Sequence, residues 1–134
     1  MPITEETRIL IFNKLKKNLE KFTPPMVVRI DTLNSSFEII GNKPVPYGYD
    51  KKLIPGMFFA TIAQRKDSVT FHFFPSYMNA NLREVAPSLY KYLKGKTCFH
   101  FTKEEQVNEQ ELTLLLQEGF MFWEKSGYMN TTSP

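Results

Sequence analysis

The stretch PGMFFATIAQRKDSVTFHFFP, residues 55–75, decides the fold. Residues 57–63 and 69–74 are two apolar runs rich in aromatic and β-branched side chains, separated by the polar Arg65-Lys66-Asp67-Ser68. Runs of that kind around a short polar turn form a β-hairpin whose strands lie deep in a sheet. Pro55 and Pro75 mark where pairing stops, because proline has no N–H to give to a ladder. The rest of the chain reads as material laid against this hairpin.

A loop centred on Lys66-Asp67 puts Gln64 opposite Val69, Ile62 opposite Phe71 and Ala60 opposite Phe73. Directly opposed side chains share a face. One face then carries Phe58, Ala60, Ile62, Val69, Phe71 and Phe73, and is expected to lie under helices. The other carries Phe59, Thr61, Ala63, Thr70, His72 and Phe74, a mixture of aromatic and hydrogen-bonding groups.

Upstream, residues 4–22 predict an amphipathic helix. Thr4 suits the N-cap, and Glu5 and Glu6 suit the positive end of the helix dipole. Phe12, Leu15, Leu19 and Phe22, with Ile11 beside them, form one stripe. Lys14, Lys17 and Lys21 fall opposite, as a solvated face. Residues 26–31 and 36–41 read as short strands, and the second could as easily be an edge strand, since Pro44 and Pro46 follow. Residues 42–52 read as a long loop. Its Tyr47 and Tyr49 either stack on a ligand or pack down as a lid.

Downstream, Leu82, Ala86, Leu89 and Leu93 keep helical spacing, broken into two pieces at Pro87. Gly95 reads as the left-handed helix stop. Residues 97–102 form the next strand. The last helix runs from Asn108 to about residue 125 and buries Leu112, Leu115, Leu116, Gly119, Phe122 and Trp123. Asn108 with Glu111 makes a variant capping box, Gly127 ends the helix, and residues 130–134 form a frayed tail. The fold class expected is α+β: a two-layer sandwich of one domain, residues 1–134, with a mostly antiparallel sheet of about five strands and helices packed on one face.

Residues 97–102 divide between the two faces as the hairpin does. With that strand beside the hairpin, Phe59, Thr61, His72, Phe74, Cys98 and His100 line one concave surface, which Tyr47 or Tyr49 could close. An apolar floor with a few convergent polar groups is the usual make-up of a small-ligand pocket. The alternative is that the long loop and the first helix simply fill this face. The function this favours is a non-enzymatic module binding a small molecule or a protein partner, with room for a homodimer.

Other classes are narrowed by composition. The 134 residues carry 17 basic and 14 acidic side chains, a formal charge of +3. That lacks the concentrated basic patch of nucleic-acid binding, so no nucleic-acid partner is expected. No apolar run approaches the ~18 residues of a membrane span, and the first residues are acidic where a signal peptide is basic. No membrane association and a cytoplasmic location are expected. One cysteine, Cys98, permits no internal disulfide. Lys94-Gly95-Lys96-Thr97 ends like a phosphate-binding loop, but Tyr90 stands where that motif needs glycine. Cys98, His72 and His100 are too few for a structural zinc site, and no helix N-terminus is expected beneath the thiol. No catalytic residue, metal ligand or cofactor is assigned.

Residues 71–77 (FHFFPSY) and 93–101 (LKGKTCFHF), with Glu118-Gly119-Phe120 and Ser126-Gly127-Tyr128 near the end, resemble the YdhG-like family of domains of unknown function. The resemblance extends from about residue 36 onward. It implies a small α+β domain, and one bacterial branch of the family is described as frataxin-like iron chaperones. That role implies an acidic, iron-holding surface. Here the first helix sets Lys14, Lys16, Lys17 and Lys21 against Glu5, Glu6 and Glu20, whereas hard cations require clustered carboxylates. A cysteine-dependent enzyme is a third reading, and it requires a Cys98 thiol of depressed pKa.

Overall fold

A computed structural model describes residues 3–23, 26–32, 35–95 and 98–129. The first helix, α1, spans Glu5–Leu19 and continues as one tighter turn, Glu20–Phe22. Thr4 caps it, its side-chain oxygen accepting from the Thr7 backbone N–H at 3.1 Å. Eight strands follow: β1 Val27–Asp31, β2 Ser36–Ile40, β3 Val45–Tyr47, β4 Lys52–Ile54, β5 Phe58–Gln64, β6 Val69–Phe73, β7 Leu93–Lys94 and β8 Cys98–Phe101. A one-turn helix, α2, occupies Pro75–Met78, and the long α3 spans Glu109–Lys125. The 130–134 tail, and Lys96 and Thr97 of the Gly-Lys-Thr run, lie outside the described residues, as do Pro24 and Pro25.

The architecture is α+β. Six strands form an antiparallel sheet in the order β1-β2-β5-β6-β8-β7, and β3 and β4 form a separate two-stranded ribbon. The β5–β6 hairpin lies at its centre, with Gln64 opposite Val69, Ile62 opposite Phe71 and Ala60 opposite Phe73. That is the register expected from the Lys66-Asp67 turn, which Arg65 N–H closes on the Ser68 carbonyl at 2.8 Å.

Helices cover one face only. Ile11 and Leu15 of α1 and Leu115, Leu116 and Trp123 of α3 are buried with Ile62, Phe71 and Phe73 of the sheet and Phe99 and Phe101 of β8. Gly119 sets the approach of α3, because a Cβ there would lie 2.5 Å from Phe73 Cζ. Asn108 caps α3, its side-chain oxygen accepting from Glu111 N–H at 3.1 Å. The Glu111 carboxylate does not complete the box; it accepts from Leu89 N–H at 3.0 Å and so ties the preceding segment to the helix.

On the lysine side of α1, Lys17 and Lys21 are exposed as expected, while Lys14 is drawn into a seam with the later chain. Lys14 pairs with Glu104 and Lys17 with Glu109, both at 3.4 Å. Between them Asn18, 1% exposed, donates to Glu109 Oε2 at 3.1 Å. That hydrogen bond, above the nearby lysines, holds the Glu109 carboxyl below the usual carboxylate range. Exposed pairs of this kind contribute about 0–1 kcal/mol each, so they set the angle of α1 more than its stability.

Four local expectations are corrected. The edge strand is β1, and β2 lies inside the sheet between β1 and β5. The prolines after β2 fall beyond its end, Pro46 in the two-stranded β3–β4 ribbon opposite Leu53. Residues 42–52 are not a plain loop, since they carry β3 and the turn into β4. Residues 81–93 form two tight 3-10 turns, Ala80–Glu84 and Leu89–Tyr92, and no α-helix. The chain then enters β7, which supplies the sixth strand. Gly95, at φ +81°, therefore follows a strand and not a helix. The left-handed conformation was legible, and its context was not.

Candidate functional site

The site is built from the face of the sheet that no helix covers. Alternation along five strands brings one polar rung across it: Arg29 opposite Glu38, Glu38 opposite Thr61, Thr61 opposite His72, and His72 opposite Cys98. Lys94 on β7 continues the rung beside Cys98. The rung is bonded at one end. Thr61 Oγ1 donates to Glu38 Oε2 at 2.9 Å, and Arg29 Nε stands 3.8 Å from Glu38 Oε1.

Above the middle of the rung lies a groove of about 430 Å³, bounded by Thr61, Thr70, His72, Phe74, Cys98 and His100. Ala63 forms part of its floor and Arg65 its rim. A wider recess of about 750 Å³ adjoins it at the hairpin turn and shares Arg65, Thr70 and His100. The face is thus open, and the alternative in which the long loop and first helix fill it does not hold for the described residues. Thr61, His72, Phe74, Cys98 and His100 come together as the sequence suggested.

Phe59 does not join them. Between Ile39 and Ile40 the β2–β5 ladder skips one residue of β5, so that Ile39 opposes Ala60 while Ile40 opposes Phe58. This bulge breaks the alternation and leaves Phe59 and Ala60 both fully buried. Phe59 turns into the helix-covered core, its ring 5.3 Å from Phe73 and 5.8 Å from Trp123. Phe58 takes its place on the open face, stacked on Phe74 at 5.3 Å. Tyr47 meets Phe58 edge-on at 5.3 Å, so β3 supplies a wall at that end. Tyr49 sits in the turn after β3, fully exposed, and takes no part in the groove.

The titrating groups are all pushed toward their neutral forms. Burial lowers His72, against the opposing pull of Glu38. Burial also lowers His100, and the positive charges of Lys94 and Arg65 lower it further. Burial raises the Cys98 thiol, with Arg65 working the other way. Near pH 7 the groove therefore holds two neutral imidazoles and a protonated thiol, with cations on its rim. Among the described residues, no group of three or more His, Cys, Asp or Glu side chains is placed to share a metal ion. No helix among them is long and apolar enough to cross a membrane.

Comparison of the chain with family models, with curated proteins and with solved structures finds no match.

Four residues of this face escaped sequence reasoning. Phe58 was hidden by the bulge, which depends on β2 and leaves no mark within β5. Glu38 lies between Phe37 and Ile39 in a clear alternation, and carrying the hairpin register one strand further would have placed it opposite Thr61. Arg65 read as turn chemistry, and Lys94 as a residue before a helix stop. Their convergence on His100 needs β7, which has no strand signal of its own.

Proposed function

We propose that the helix-free face of the sheet is a non-enzymatic binding site for a small ligand. The observation that carries this reading is the groove of about 430 Å³ in which both histidines of the chain, a cysteine and two threonines meet over an apolar floor. Concave, partly apolar sites with a few convergent polar groups are the usual form of ligand sites. The chemistry of the groups argues for binding over catalysis. A thiol raised by burial is a poor nucleophile, and among the described residues no carboxylate is hydrogen-bonded to His100 to orient it as a base. The YdhG-like resemblance is compatible with a binding role. Its iron-handling branch draws no support from this face, where the carboxylate acting on His72, Glu38, is already bonded to Thr61.

The uncharged fluorophore N-phenyl-1-naphthylamine tests the reading. Saturable one-to-one binding is expected, lost in Phe74→Ala, which removes a wall, and in Ala63→Trp, which fills the groove from its floor. Dye binding that ignores both substitutions, or no saturable binding to the unmodified chain, would count against the site.

A further inference from the structure

The groove has two chemically different ends. At one end an aromatic ladder runs Tyr47–Phe58–Phe74–His72, with ring centroids 5.3, 5.3 and 4.7 Å apart in turn. At the other, by the hairpin turn, stand Arg65, Lys66 and Lys94 with a single acid, Asp67. Arg65, Lys94 and His100 line one recess, which places two positive charges beside the imidazole. Among the described residues, neither has a carboxylate within ion-pair distance, whereas Lys14, Lys17 and Arg29 elsewhere each do. Thr70 and Ser68 add hydroxyls at the same end. From Phe74 to Thr70 is four residues, about 13 Å of extended chain.

From this polarity we propose that the ligand is a small amphiphilic anion: a flat ring or rings against Phe58, Phe74 and His72, and a carboxylate or phosphate between Arg65, Lys94 and His100. This deepens the binding reading above and rests on it. A ring stacked on aromatic side chains gains from dispersion and burial, and an anion between two cations gains from the summed charge of both. Neutral His100 donates one N–H to such an anion without adding a third charge to the recess. The span suits a molecule of nucleoside-monophosphate or aromatic-acid size. It is too short, and the basic surface too confined, for a long polyanion.

The probe is 8-anilinonaphthalene-1-sulfonate, which adds an anionic group to the ring system of the uncharged dye above. In the double variant Arg65→Glu/Lys94→Glu, sulfonate-dye affinity is expected to fall at least about tenfold more than affinity for N-phenyl-1-naphthylamine. Both side chains are exposed, so the melting temperature should stay near that of the parent. The milder Arg65→Gln/Lys94→Gln pair should give a smaller fall in the same direction. Displacement of the sulfonate dye by adenosine monophosphate or by 1-naphthoate would support the inference and tell phosphate from carboxylate. Unchanged sulfonate-dye affinity in both double variants would overturn it, yet leave the groove as an uncharged-ligand site if the neutral dye still binds. A short oligothymidylate that displaces the dye far better than either monomer would also overturn it, in favour of single-stranded nucleic acid.

Discussion

Trp123→Ala is expected to lower stability by about 3–5 kcal/mol, measured as a shift in the urea midpoint at unchanged slope. The indole is fully buried on α3 and meets three rings, Phe59 at 5.8 Å, Phe122 at 5.7 Å and Tyr128 at 5.1 Å, with Phe73 behind Phe59. Truncation leaves a cavity where α3, β5 and the segment after the helix come together. Collapse cannot fill it easily, because Gly119 already brings α3 as close to Phe73 as the backbone allows. The indole N–H has no hydrogen-bond partner among the described residues. Leaving a buried donor unpaired is costly, so Trp123→Phe removes volume but also removes that penalty. Its cost should be clearly smaller. Equal melting of Trp123→Ala and the parent would mean that α3 does not dock through this residue.

The second large effect separates two adjacent phenylalanines. Phe59→Ala should cost about 3–5 kcal/mol, because its ring is fully inside the core against Phe73 and Trp123. Phe58→Ala should cost only about 1–2 kcal/mol, the scale of partial burial of one ring. It should instead weaken ring-ligand binding, since Phe58 backs Phe74 on the open face. A strand without the bulge predicts the reverse order. Thermal or urea melts of the two variants, with one dye titration each, decide between them.

The hairpin was legible because its turn and both strands are local, and a period of two fixes every face once one pair is set. The same logic carried Cys98 and His100 to the correct face. It failed at Phe59 for a reason that no local pattern contains: the extra residue is forced by how β5 meets β2, some twenty residues away in the chain. Helical spacing misled for residues 81–93, where apolar positions three and four apart are served equally well by successive 3-10 turns. Lys14 of α1 read as solvated because its partner, Glu104, stands ninety positions later. Tyr47 and Tyr49 differ only by their places in a ribbon that two prolines made look like a loop. Except in residues 81–93, where the local spacing itself was ambiguous, the missing information was a distant partner.

The most direct test of the open face uses a convenience of composition, since the chain has two histidines and both line the groove. Saturation with N-phenyl-1-naphthylamine, followed by two-dimensional NMR, should move the imidazole C–H signals of His72 and His100 through the ring current of the bound dye. The amides of Thr61 and Thr70 should move with them, while those of α1 and the first half of α3 stay in place. Shifts that cluster instead on the exposed apolar residues Ile9, Leu10, Ile30 and Leu53, with both imidazoles unmoved, would contradict the assignment of this face.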